Sequence, residues 1–94
     1  GIAIGNSSLA DNRHALALGV DASATDESAT AIGDSAEATA EDALAMGSGA
    51  RAVAQNASAF GPGAEAVSGN ALAVGAAARA AAADASAVGQ GAQS

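Results

Sequence analysis

The chain has 94 residues, a formal charge of −7 and a composition that is half apolar yet holds a single aromatic residue. That length bounds it to one domain, and an apolar set dominated by alanine cannot build the thick core of a compact globule. Ten carboxylates against Arg13, Arg51 and Arg79 leave no basic stripe for nucleic acid or anionic lipid; the lack of cysteine removes disulfide and thiolate chemistry but leaves the compartment open.

No apolar run reaches the roughly 18 residues of a membrane span, and none of these residues reads as a signal peptide. The first coil, Gly1 to His14, is the least regular, with Ser8 where later coils carry alanine and Leu9 where they carry charge. From Ala15 a pentad Ala-x-Ala-apolar-Gly governs the chain, clearest as Ala15-Leu16-Ala17-Leu18-Gly19, and it returns every fourteen residues without insertion or deletion. Its glycine falls at Gly5, Gly19, Gly33, Gly47, Gly61, Gly75 and Gly89, preceded by Ile4, Leu18, Ile32, Met46, Phe60, Val74 and Val88. A period held this strictly means one structural unit stacked on itself. About seven coils are expected within a single domain over residues 1–94, starting near Gly1, Ala15, Ala29, Ala43, Ala57, Ala71 and Ala85, the last one partial. Because the chain starts and stops inside a repeat, it reads as a segment of a longer array.

With the repeat numbered one to fourteen, alanine holds positions one and three from Ala15 onward, and positions eight and ten from Ala22 to Ala80. Spacing by two is the signature of extended chain, so each coil reads as two short strands and two turns. The corners carry turn chemistry: Gly33-Asp34-Ser35, Gly47-Ser48-Gly49 and Gly61-Pro62-Gly63 follow the first strand, and Asp42, Asn56, Asn70 and Asp84 precede the next. Pro62 sits in a corner, where no ladder hydrogen bond is needed. Helix is the rival for so much alanine, but it would repeat apolar positions at three and four, and the recurring glycines would cost it about 1 kcal/mol each. Only Ala76 to Ala83 would pass for a helical turn on its own. Alanine-rich disorder has no reason to hold register over the whole chain.

Position nine reads Leu9, Ser23, Glu37, Arg51, Glu65, Arg79 and Gln93, so this row faces water and its alanine neighbours face inward. The expected roll interior is Ala17, Ala22, Ala24, Ala31, Ala36, Ala38, Ala45, Ala50, Ala52, Ala59, Ala64, Ala66 and Ala73. The large residues then point outward: Ile2, Ile4, Leu16, Leu18, Ile32, Leu44, Met46, Phe60, Leu72, Val74 and Val88 would form an apolar wall about 30 Å tall at roughly 4.8 Å per coil. Such a wall is larger than soluble monomers leave exposed, so burial against copies of itself is expected. The opposite assignment, with the large residues inside, is the alternative.

Ala15-Leu16-Ala17-Leu18-Gly19 followed by Ala22 and Ala24, and Asn70-Ala71-Leu72-Ala73-Val74-Gly75 followed by Ala78 and Ala80, resemble the head repeats of trimeric autotransporter adhesins, the YadA-like head. The resemblance covers nearly the whole chain. It implies an all-β, left-handed parallel β-roll, a homotrimer whose inner sheets form a common core, and display at the tip of a fibre on a Gram-negative cell surface. It also implies a signal peptide upstream and, downstream, a coiled-coil stalk and an outer-membrane anchor, all outside this segment. Collagen, fibronectin, laminin, host cells and other bacterial cells are the partners it suggests. The family often has serine at position one, where this chain has alanine.

The row Glu37, Arg51, Glu65, Arg79 alternates in sign along neighbouring coils; it reads as a solvated ladder that fixes register, and as the candidate ligand face. Glu27 and Glu41 stack with Asp26 and Asp42 beside them, a hard-oxygen cluster that could suit calcium but is expected to be solvated turns relieved by Arg13. His14 is the only histidine and has no second ligand near it in sequence. Asn6-Ser7-Ser8 and Asn56-Ala57-Ser58 match the glycosylation pattern, which is read as chance. No nucleophile set, phosphate loop or cofactor motif is present, so neither enzyme activity nor a bound cofactor is expected. The period differs from the six of hexapeptide acyltransferases and the nine of calcium-binding repeats. An ice-binding solenoid would offer a threonine row, and here only Thr25 and Thr39 align. The expected function is attachment through a multivalent adhesin head; the alternative is a spacer that lengthens the fibre without its own ligand site.

Overall fold

The computed structural model describes residues 1–94 and contains strands and turns but no helix. The first strands of successive coils are β1 (Ile2–Ile4), β3 (Leu16–Leu18), β5 (Thr30–Ile32), β7 (Leu44–Met46), β9 (Ser58–Phe60), β11 (Leu72–Val74) and β13 (Ser86–Val88). The second strands are β2 (Leu9–Ala10), β4 (Ser23–Ala24), β6 (Glu37–Ala38), β8 (Arg51–Ala52), β10 (Glu65–Ala66) and β12 (Arg79–Ala80). Odd strands form a seven-stranded sheet and even strands a six-stranded one, each in chain order. Every pairing is parallel and joins residues fourteen apart, as in Ala17 with Ala31 and Ala24 with Ala38. The result is a β-solenoid with principal extents of 31 × 20 × 11 Å. The stretch Ala76 to Ala83 follows the same plan, with a corner at Gly75–Ala78 and then β12.

The corners explain why so short a coil closes. In the first, the Ala50 N–H donates to the Gly47 carbonyl at 3.1 Å; in the second, the Ala43 N–H donates to the Ala40 carbonyl at 3.1 Å. Positive φ at the third residue of every turn but Asn12–Ala15, 71° at Gly49 and 58° at Asp42, with none at the second, is the type II pattern; His14, third in that first-coil turn, lacks it. Glycine, asparagine, aspartate and serine fill most of these third positions because they tolerate left-handed backbone best. Pro62 takes the second position of its corner, where φ near −65° is wanted. No backbone hydrogen bond is donated from that position in any coil, so proline forfeits none there.

The repeating glycine has a stricter cause. Gly47 has a φ of 126°, and a Cβ on it would lie 2.6 Å from the carbonyl carbon of Gly61 in the next coil. Successive coils stack at this corner too closely for any side chain. The period of fourteen in glycine is therefore the imprint of coil stacking on the sequence.

The interior is made of alanine alone. All 21 buried residues are alanines, drawn from positions one, three, eight and ten, and two facing layers of methyl groups fill the space between the sheets. A fully buried larger apolar side chain contributes about 1.5–3 kcal/mol, against about 0.8 kcal/mol for one buried methylene, so this core is weak per residue. Coil-to-coil hydrogen bonding carries a correspondingly larger share. At the open end of the roll Ala3 is exposed and Ala10 only partly buried, because β1 and β2 each have a neighbouring strand on one side only.

Candidate interaction surfaces

Strand alternation that turns alanine inward turns positions two and four of the odd strands outward. Leu16, Leu18, Ile32, Leu44, Phe60, Leu72 and Val74 are half-buried, each sheltered only by the rungs above and below it. Met46 is 37% exposed, and at the two ends, where one neighbouring rung is missing, Ile2, Ile4 and Val88 reach 58%, 61% and 66%. No side chain larger than alanine is buried anywhere in the chain. Positions one to five carry no charged residue in any coil, and position four is apolar in every coil, so an apolar row runs the length of the roll uninterrupted.

Position two also holds a pattern that the sequence reading passed over. Leu16, Thr30, Leu44, Ser58, Leu72 and Ser86 alternate between bulky and small, and each is paired in register with the next. Comparing alternate coils rather than adjacent ones would have revealed it.

The even strands present position nine to solvent. Arg51 Nε donates to Glu37 Oε1 at 3.0 Å and Arg51 Nη1 lies 3.6 Å from Glu65 Oε2, while Arg79 Nε lies 3.3 Å from Glu65 Oε1. Glu37, Arg51, Glu65 and Arg79 thus form one continuous ladder of ion pairs. Its side chains are between a third and just over half exposed, which places each pair at about 0.2–1 kcal/mol. Leu9 and Ser23 continue the row toward the first coil, with Leu9 exposed, and Gln93 extends it by a bridge to Arg79.

At the second corner, Asp26 Oδ1 accepts from the Glu27 N–H at 2.8 Å, and Gln55 Nε2 donates to Glu41 Oε1 at 3.0 Å. The expected relief by Arg13 is not formed: all three ion pairs belong to the ladder, and Gln55 meets Glu41 instead. Gln55 is one coil from Glu41 at the same position thirteen, whereas Arg13 is two coils away. Beside Glu27 the first corner departs from the stack, since His14 lacks positive φ and the Ser28 N–H does not donate to the Arg13 carbonyl as the Asp42 N–H does to the Glu27 carbonyl. No group of three or more histidine, cysteine, aspartate or glutamate side chains comes together as a metal site. His14, Asn6 and Asn56 are exposed at corners. Thr25 and Thr39 lie side by side, one half-buried and the other exposed, with Val53 and Val67 continuing their row.

The family described as YadA head domain repeat (2 copies) matches residues 1–22, 10–36, 38–64 and 66–92. The matches beginning at residues 10, 38 and 66 advance by two coils at a time, the same step as the alternation at position two. A search of curated protein sequences finds no match. A stack of fourteen-residue coils with an alanine interior, a glycine corner and family matches from end to end places the chain in the family of YadA head-domain repeats.

Proposed function

We propose that this chain is a segment of the head of a trimeric autotransporter adhesin, carried on a bacterial cell surface and anchored in the outer membrane by regions outside the segment. Three copies pack through the outer face of the odd-strand sheet, burying Leu16, Leu18, Ile32, Leu44, Met46, Phe60, Leu72 and Val74. The outer faces of the three even-strand sheets are then presented to host matrix proteins or cells. Individually weak contacts repeated on three faces add through avidity. The observation that carries this reading is the uncharged apolar row along a 31 Å roll whose interior is already filled by alanine. Light scattering across a dilution series tests the assembly. A stable mass of three chains is expected, and a monomer that keeps its β spectrum on dilution would overturn it.

A second reading has its own support. In the ladder, Arg51 already lies between Glu37 and Glu65, so the charges on this face satisfy one another, as a spacer's would. Replacing Glu37, Arg51, Glu65 and Arg79 with alanine in the full head and measuring binding to collagen, fibronectin and laminin separates the two. A loss of binding to any of them assigns the face to adhesion; unchanged binding to all three assigns this segment to spacing.

A further inference from the structure

Position two on the outer face of the odd-strand sheet alternates in bulk, and Ser58 stands in register between Leu44 and Leu72. It is therefore a notch between two large side chains. On the same strand and the same face, two residues on, is Phe60, the only aromatic residue of the chain, paired between Met46 and Val74. The coil with the small residue at position two carries the largest one at position four, while the next coil has Leu72 with the smaller Val74. Symmetric copies that share one surface bring equal levels of the roll together, so at this level the bulk of Phe60 offsets the lack of it at Ser58. Charge favours the same strip. Both corners carry carboxylates, such as Asp21 and Asp34 on one side and Asp26 and Glu27 on the other, whereas positions one to five carry none.

Resting on the self-association proposed above, we propose that Phe60 of one copy fills the notch at Ser58 of the neighbouring copy, and that this pair fixes the register in which the copies dock. A slip by one coil, about 4.8 Å, drives Phe60 against Leu44 or Leu72 and sets the smaller Met46 or Val74 at the notch, leaving part of it unfilled. Overpacking and an unfilled cavity both weaken the slipped arrangement.

The test is sedimentation of the wild-type segment, Ser58→Leu, Phe60→Val and the double variant over a dilution series, with strand content followed by circular dichroism. Each single substitution is expected to raise the dissociation midpoint by about tenfold or more, and the double variant, which exchanges bulk between the two positions, to return within about threefold of wild type. Mixing the Ser58→Leu chain with the Phe60→Val chain is expected to recover assembly in part, because a trimer of two chains of one kind and one of the other matches bulk at two of its three interfaces. Additive losses in the double variant, or a mixture no better than its components, would overturn the pair while leaving self-association standing. A wild-type segment that stays monomeric would remove the self-association itself and the pair with it.

Discussion

At the residue scale, two glycines two positions apart in one corner do different work. Gly47 has positive φ and no room: its Cβ would meet the Gly61 backbone at 2.6 Å, and backbone cannot move aside as a flexible side chain would. Gly49 has positive φ but open space, with its nearest neighbour 4.0 Å from an added Cβ, and Ala77 occupies the equivalent position at a φ of 60°. Gly47→Ala is therefore expected to cost at least about 2 kcal/mol, and Gly49→Ala only about 1 kcal/mol. Urea midpoints of the two variants check the order. Between them stands Ser48, exposed and equivalent to Pro62, with no backbone hydrogen bond to lose. Ser48→Pro is expected to stabilise by about 0.4–1 kcal/mol by restricting the unfolded chain, read as a higher urea midpoint with an unchanged slope.

At the scale of the element, the ladder of β6, β8, β10 and β12 holds neighbouring coils in register through charge as well as backbone. Arg51→Ala removes two of its three contacts and is expected to cost no more than about 1 kcal/mol, since the pairs are exposed. Arg51→Glu stacks three like charges at adjacent rungs and is expected to cost more. Thermal melts at 0.05 M and 1 M salt separate the two, because screening to about 3 Å at high salt relieves repulsion and leaves only the lost packing. The alternation of Ala22 and Ala24 around Ser23, repeated in each coil, made both the strands and the ladder legible in the sequence. That legibility has a physical basis: a coil of fourteen residues leaves width for methyl groups alone, so inside and outside are written in residue size. The partner of Glu41 was harder to read. Arg13 has the right sign and shares position thirteen, but it stands two coils from Glu41, whereas Gln55 stands one coil away. The alternation through Thr30, Ser58 and Ser86 escaped notice because its period is two coils.

At the scale of the whole molecule, charge is distributed along the axis unevenly. Residues 1–42 carry eight carboxylates and Arg13, so they hold the entire −7, while Arg51 and Arg79 balance Glu65 and Asp84 in the remainder. Copies docked in parallel through the apolar row bring these acidic halves side by side, on a body only 20 Å across. At 0.01 M salt the screening length of about 30 Å spans that distance, whereas at 0.15 M it shrinks to about 8 Å. Self-association of the segment is therefore expected to be weaker at low salt and to strengthen as salt rises to the physiological range, opposite to an interface held by ion pairs. Hydrophobic association also gains from salt, so the control is a variant with Asp26→Asn, Glu27→Gln, Glu41→Gln and Asp42→Asn, which keeps the apolar row intact. Its dissociation midpoint should be lower than wild type at 0.01 M and nearly equal to it at 0.15 M, as measured by sedimentation. If the two proteins respond to salt in parallel, the acidic halves do not lie side by side, and a docking mode that opposes the two ends of the roll would replace the parallel one.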